Sequence, residues 1–315
     1  MIPNCYWMIG ISGSGKTTKA EQLVKEGKAH TIISSDAIRK ELYGDENIQI
    51  NPDKVFELVH KRCRDCLKVG MSVVYDATNL SFRYRKKFFT YLQEHNVIAN
   101  HHAIVMCTPL KIAYYNNENR ERVVPKEVID KQFKKFQIPF WEEGFKTITL
   151  EDGTNYFSEV SPDDNRQHPY NEDNFQSLLG LMKNFNQNNR HHAFSLLEHS
   201  NKVYENICEY SDDKALIVAS QIHDIGKRYT ATIDENGENH YYSHAEAGCY
   251  SLLSNLDCLN LNVSEVIKCL FYVCYHMRPF SWVADKTKDK YRKIFGAEKY
   301  NNLWLLHKSD IKGCK

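Results

Sequence analysis

The chain has 315 residues, 42% of them apolar and 26% charged, which suits one or two globular domains and excludes a disordered chain. The 41 basic and 40 acidic residues leave a formal net charge of +1, so no global field draws the protein to a polyanion and nucleic acid would have to be met by a local patch. No apolar run nears the roughly 20 residues of a membrane span, the ten cysteines are scattered, and no second pair at zinc-ribbon spacing accompanies Cys63 and Cys66. These features predict a cytoplasmic protein with reduced thiols and no membrane partner, with redox chemistry left open at Cys63 and Cys66.

Short apolar runs alternate with helical patterns over the first half. Strands are predicted at 5–9, 31–34, 73–75 and 103–106 and helices at 17–25 and 55–68, the pattern of parallel strands joined by crossover helices. A stretch rich in Asp, Asn, Pro, Gly and Ser at 151–173 reads as a linker. Beyond it, strand signals mostly vanish and helices are predicted at 195–209, 214–222, 244–256, 263–275 and 300–309. The expected organisation is an α/β domain at 1–150, with a parallel sheet and helices on both faces, the linker at 151–173, and an all-α domain at 174–315.

The run GISGSGKT at 10–17 fits G-x-x-x-x-G-K-[ST] between a predicted strand and a predicted helix. Its glycines, Gly10, Gly13 and Gly15, let the backbone curl so that successive N–H groups point at phosphate oxygens, at the positive end of the following helix. Ser12, Ser14 and Thr18 complete the candidate cradle for ATP or another NTP. Lys16 would neutralise the β and γ phosphates and the Thr17 hydroxyl would ligate Mg²⁺. After the second strand, Asp36 and Arg39 stand at i and i+3, on one face of a helix's first turn. A carboxylate there could orient and deprotonate an attacking hydroxyl, and the arginine could hold an acceptor phosphate; the alternative is a helix cap with a solvated neighbour.

This D-x-x-R after a P-loop resembles the phage-type 5′-hydroxyl polynucleotide kinases and their bacterial RNA-repair relatives. Two further segments are similar: VVYDATN at 73–79, where the resemblance puts Asp76 near Mg²⁺ with Thr78 and Asn79 facing the site, and NRERVVPKEVI at 119–129, like the family's lid, where Arg120 and Arg122 would clamp the donor phosphates. The resemblance spans about 150 residues and implies a P-loop kinase using ATP and Mg²⁺. Arg83, Arg85, Lys86 and Lys87, interleaved with Phe82 and Tyr84, could track a strand's phosphates; the preferred reading is a solvated helix face with its aromatics in the core.

The second half holds His199, the pair His223 and Asp224, His244, His276 and Asp310, each on or at the end of a predicted helix. Imidazole and carboxylate donors converging from several helices suit Mn²⁺, Fe²⁺, Co²⁺, Ni²⁺ or Zn²⁺. The segment IHDIGK at 222–227 resembles the core of the HD phosphohydrolases. QNNRHHAFSLLEH at 187–199, HAEAG at 244–248, YHMRP at 275–279 and LHKSD at 306–310 are similar in the same order, most like the HD domain attached to bacterial tRNA nucleotidyltransferases, over about 185–312. That resemblance implies His199, His223, Asp224 and Asp310 as metal ligands, with His244 and His276 holding a second metal or the substrate phosphate. Lys227, one turn beyond His223, would steady the phosphate or a bound hydroxide. His192, seven residues before His199, is equally a spectator or a participant.

Together the two resemblances imply a bifunctional end-healing enzyme: an ATP-dependent 5′-hydroxyl kinase joined to a metal-dependent 2′,3′-cyclic phosphodiesterase or 3′-phosphatase. The implied partners are RNA or DNA ends and an RNA ligase acting downstream. The families that set this precedent fuse these activities in other orders or use a different phosphatase fold. Two rivals stay open, a small-molecule kinase fused to an HD nucleotide phosphohydrolase and a nucleotide-sensing module without turnover. The oligomeric state is left open.

Overall fold

The chain begins with a buried strand, β1 (Asn4–Ile9), whose alternate residues face two different helical layers. The computed structural model describes residues 1–183, 185–188 and 194–314, and His192 lies outside them. Contacts divide the chain into two units, one made of Met1–Gln132 and Glu143–Ser161, the other of Phe133–Glu142 and Pro162–Lys315.

In the first unit β1 leads into α1 (Lys16–Lys25), then β2 (Thr31–Ser34), α2 (Ser35–Tyr43), α3 (Pro52–Lys68), β3 (Val73–Asp76), α4 (Phe82–Glu94), β4 (Asn100–Met106), α5 (Leu110–Glu118), α6 (Lys126–Phe133) and β5 (Thr147–Glu151). The five strands form one sheet in the order β2-β3-β1-β4-β5, every neighbouring pair parallel. On one face Tyr6 and Met8 of β1 join Val74, Ile104 and Met106 against Ala20 and Leu23 of α1. On the other face the Trp7 ring meets Tyr75, Phe88, Phe89 and Phe145, and its Nε1 donates to His101 Nδ1 at 3.1 Å. Both faces are buried, which is why these strands read as continuous apolar runs rather than alternating ones.

The four expected strands are present, and β5 is a fifth. Its sequence TITLE alternates half-buried and buried residues at the sheet edge, a weaker signal than a central strand gives. Within the stretch 151–173 part of the backbone pairs back onto β5. Val160 pairs antiparallel with Ile148, and Leu150 N donates to the Phe157 carbonyl at 3.1 Å, so residues 157–160 still belong to the first unit.

The second unit comprises α7 (Glu172–Lys183), α8 (Leu196–Tyr210), α9 (Lys214–Ile222), α10 (Lys227–Thr230), the two-residue strands β6 (Thr232–Ile233) and β7 (Asn239–His240), α11 (His244–Leu252), α12 (Val263–Tyr275), α13 (Asp285–Phe295) and α14 (Ala297–Gly313). Helix α12 is nearly all apolar and buried all round, the mark of a central helix. It starts at a capping box in which Asn262 accepts from Glu265 N and Glu265 accepts from Asn262 N, each at 2.9 Å. Ser195 and Glu198 start α8 in the same way. The helix expected at 244–256 stops at Leu252, and the one expected at 300–309 runs from Ala297 to Gly313.

The segment Phe133–Glu142 belongs to this unit. Phe136 meets Tyr250 edge-on at 5.2 Å, Phe140 meets Phe271 at 5.2 Å and Tyr275 at 5.7 Å, and Tyr275 Oη donates to the Ile138 carbonyl at 3.1 Å.

Candidate functional site

The loop between β1 and α1 forms a cradle whose carbonyls are held from outside. Thr108 Oγ1 donates to the Ser14 carbonyl at 2.9 Å and Asn116 Nδ2 to the Gly13 carbonyl at 3.1 Å, while Ser14 N donates to the Ile11 carbonyl at 3.3 Å inside the loop. Gly13 has a φ of +80°, and a β-carbon there would lie 2.1 Å from the Ala113 carbonyl oxygen; Gly15, at φ +88°, caps α1. Those two positions require glycine. Gly10 N donates to the Thr78 carbonyl at 3.1 Å, the Ser14 side chain is buried, and Thr18 is exposed on α1. Ser12 N is occupied by Gln132 Oε1 at 2.7 Å, a partner no sequence signal had picked out.

Lys16 Nζ folds back onto the Ile11 carbonyl at 2.7 Å. Burial lowers its pKa to about 8, opposed by the Asp76 and Asp36 carboxylates. Burial pushes Asp76 upward, opposed by Lys16, while Asp36 adds to the rise and the hydroxyls of Ser34 and Thr17 favour its ionised form. Thr17 and Asp76 therefore share one locus, and a hydroxyl and a carboxylate beside a glycine-rich loop are groups that could hold a cation accompanying bound phosphates.

Asp36 sits between two arginines: one carboxylate oxygen pairs with Arg39 Nη1, the other with Arg122 Nη1. Arg122 is also held by Asn47 Oδ1 at 3.1 Å and the Glu46 carbonyl at 3.3 Å. Arg120 donates to Asn117 Oδ1 at 2.8 Å, and Asn117 in turn braces Val124 through both its amide donor and its acceptor. Asn79 has a different place from the one expected. At φ +47° it is buried, and its amide donates to the Met8 carbonyl at 2.9 Å, so it ties the ends of β1 and β3 together. The Asn79 carbonyl accepts from Arg85, whose guanidinium is fully buried and forked onto Glu143 at 2.7 and 2.8 Å. The basic run thus divides: Arg83, Lys86 and Lys87 face solvent, Arg85 belongs to the core, and Tyr84 is exposed rather than buried.

In the second unit the helix ends converge. His223 and His276 cap the C-termini of α9 and α12, and each directs Nδ1 at a carbonyl of its own last turn, Ser220 and Val273, at 2.8 Å. His244 does the same with the Tyr241 carbonyl at 2.7 Å. With Nδ1 committed to a carbonyl, Nε2 is left to coordinate. Two groups of ligand atoms result, each lying within 4.8 Å: His199, His223, Asp224 and Asp310, and Asp224, His244 and His276. Asp224 belongs to both. Its Oδ2 faces His223 Nε2 at 3.4 Å and His199 Nε2 at 3.5 Å, and its Oδ1 faces His244 Nε2 at 3.0 Å and His276 Nε2 at 3.5 Å. Asp310 Oδ1 stands 3.0 Å from His199 Nε2.

Burial works against a charge on His223, yet Asp224 and Asp310 carry its pKa up to about 10. Burial likewise opposes ionisation of Asp224, and Lys227 and His223 hold it well below the usual carboxylate range; Asp310 is held low by His199 and His223. Burial takes His276 down to about 4. The His223 Nε2 atom is buried without a hydrogen bond, which together with the nitrogen and carboxylate donor set fits a divalent transition metal. Lys227 Nζ reaches Asp224 Oδ2 at 2.6 Å and Gln187 Oε1 at 2.7 Å, beside the two groups of ligand atoms. The resemblance at 187–199 gives Gln187 no role, and here it holds Lys227.

The family model of an AAA domain matches residues 6–139. No curated protein matches the chain. Among solved structures, one of the Pnkp1/Rnl/Hen1 RNA repair complex is similar at 21% identity and a TM-score of 0.36, over 42% of this chain and 43% of that one. A second, of the Pnkp1/Rnl/Hen1 complex, gives 22% and 0.33 over 39% and 40%. A gluconokinase from Sinorhizobium meliloti 1021 gives 17% and 0.32 over 43% of this chain and 76% of its own. The chain spans less than half the length of the first two. The first unit is a parallel α/β fold carrying a P-loop, and among the described residues no helix is long and apolar enough to cross a membrane.

Proposed function

We propose that the protein heals broken nucleic-acid ends, with RNA favoured: the first unit phosphorylates a 5′-hydroxyl from ATP, and the second hydrolyses a 2′,3′-cyclic or 3′ phosphate. The observation that carries the kinase half is Asp36, placed beside the cradle with an arginine on each carboxylate oxygen. In the bound state Lys16 neutralises transferring charge, Asp36 takes the proton of the attacking hydroxyl, Arg39 holds the acceptor's phosphate, and Arg120 and Arg122 leave their present partners for the donor phosphates. Thr17 and Asp76 would hold Mg²⁺, which supplies charge neutralisation. The nucleic-acid acceptor is assigned from the D-x-x-R segment and its companions at 73–79 and 119–129.

The hydrolytic half is supported by Asp224, which offers one oxygen to each histidine group. His199, His223, Asp224 and Asp310 would hold one metal and Asp224, His244 and His276 a second; such metals supply a nucleophile at neutral pH and Lewis acidity toward phosphoryl oxygen. Lys227, held by Gln187, orients the phosphate and offsets its charge.

The test is one incubation: an RNA strand with a 5′-hydroxyl and a 2′,3′-cyclic phosphate, ATP, Mg²⁺ and Mn²⁺, with both ends then identified by mass spectrometry. Conversion of both ends supports the reading. Activity confined to free nucleosides and mononucleotides replaces it with a small-molecule kinase joined to a nucleotide phosphohydrolase.

A further inference from the structure

The metal-fitting residues occupy the floor of a cleft of about 960 Å³ that a phosphate alone would leave nearly empty. Asp224, His244 and Asp310 line its base, and Lys227 is the one lysine or arginine lining it among the described residues. The walls are formed by Tyr241, Tyr242, Met277, Phe280 and Ile311, with Glu246 the one carboxylate apart from the floor.

Two of these rings are exposed yet braced. Tyr242 is 74% exposed and stacks on the His240 ring at 5.7 Å with an interplanar angle of 6°; Phe280 is 49% exposed and meets the His307 ring edge-on at 4.3 Å. Ser243, the N-cap residue of α11 between Tyr242 and His244, holds a φ of +63° and makes no capping hydrogen bond with its side chain, the kind of left-handed strain that collects at binding sites. Solvent-facing aromatics that are held in place by a neighbour offer a rigid stacking surface to a flat ligand at small entropic cost.

Building on the hydrolytic reading, we infer that this cleft takes a single terminal nucleotide, one phosphate at Lys227 and the metal floor and one nucleobase against Tyr242 and Phe280. Beyond the metal floor and Lys227 the described lining carries no further lysine or arginine, so the extra charges of nucleoside di- or triphosphates would face Glu246 and apolar walls. Apolar, aromatic walls beyond the phosphate disfavour sugar phosphates and polyols, which have no flat face to stack.

The test uses the full chain loaded with Mn²⁺, its P-loop filled with a non-hydrolysable ATP analogue and Mg²⁺, titrated with 3′-AMP, ADP and β-glycerophosphate and read by saturation-transfer NMR. 3′-AMP is expected to bind at least tenfold more tightly than β-glycerophosphate and more tightly than ADP. Tyr242→Ala and Phe280→Ala should each weaken 3′-AMP about tenfold, leave β-glycerophosphate and bound manganese unchanged, and be rescued at 242 by Tyr242→Phe. Equal affinity for 3′-AMP and β-glycerophosphate, tighter binding of ADP, or alanine variants that match the parent would overturn the inference. If neither 3′-AMP nor β-glycerophosphate is hydrolysed while the Tyr242 dependence holds, the hydrolytic reading fails and the nucleotide site stands.

Discussion

The backbone of Gly226 lies so close to His244 that a β-carbon on it would fall 1.9 Å from the His244 carbonyl oxygen and 2.5 Å from Gly248 N. This approach clamps the turn carrying His223 and Asp224 to the start of α11, and it brings His244 Nε2 within 3.0 Å of Asp224. Gly226→Ala should therefore separate the two ligand groups, at a cost of about 1–3 kcal/mol or more. Elemental analysis should find bound manganese reduced at least twofold, with ATP affinity at the P-loop unchanged. A variant that binds metal like the parent would show that this contact does not set the site.

Burial lowers the pKa of Lys16 to about 8. Phosphate binding favours its charged form, so ATP binding takes up a proton at higher pH. ATP affinity should be flat below about pH 7 and fall toward tenfold per pH unit above about 8. For folding the sign is opposite: the unfolded chain holds this proton up to about pH 10.4, so burying the charged lysine costs stability below pH 8, and the cost is relieved as pH rises between the two values. Calorimetric titration at pH 6.5, 7.5, 8.5 and 9.5 reads the binding effect, and a pH-independent affinity would place the lysine away from the phosphates.

Asp36→Ala should lower phosphate transfer to a 5′-hydroxyl by about 10²-fold or more and leave ATP affinity within about threefold. With the donor-phosphate role proposed for them, Arg122→Ala and Arg120→Ala should depress kcat more than acceptor affinity. A pure rise in acceptor KM for the arginine variants would put them on the nucleic-acid path.

His223→Ala or Asp224→Ala should lose bound metal and phosphate hydrolysis together, with 5′-phosphorylation in Mg²⁺ kept near the parent rate. EDTA should stop both reactions; Mg²⁺ should restore the kinase alone, and Mn²⁺ should restore the hydrolase. A folded, metal-free His223 variant hydrolysing at the parent rate would separate that residue from the chemistry.

Arg85→Ala removes one partner of a fully buried ion pair and should destabilise the first unit by about 3–5 kcal/mol. Arg83→Ala, two residues away and exposed, should change stability by less than about 0.5 kcal/mol. Thermal unfolding of the two variants distinguishes them, and equal melting temperatures would contradict the buried pairing.

The elements legible from sequence were those with dense local signals. β1 reads as an unbroken apolar run followed by glycines that two positive-φ turns require, and α12 as a helix with almost no polar face. The residues gathered around Asp224 were named from spacing and resemblance, but the sharing of its two oxygens depends on Gly226 and Gly313, whose missing side chains let helices approach; a β-carbon at Gly313 would lie 2.9 Å from Val203 Cγ2 and 3.5 Å from His199 Nδ1. Tertiary proximity of that kind leaves no periodic trace. Asn79 was expected to face the site because the segment 73–79 resembles the kinase family's, and only its contact with the Met8 carbonyl shows it bracing strands. Arg85 was hidden among exposed cations because its partner, Glu143, lies 58 positions on.

Residues 133–142 leave the first unit, fill a slot in the second, and return before β5. The polypeptide consequently passes between the units three times, and a single protease nick at 162–171 would sever one pass only. The resulting fragments should co-migrate through gel filtration under native conditions, since Phe136, Ile138 and Phe140 stay threaded among Tyr250, Phe271 and Tyr275 of the other fragment. Swapping either half onto another protein by one cut would strand those rings in water, so this architecture resists modular shuffling.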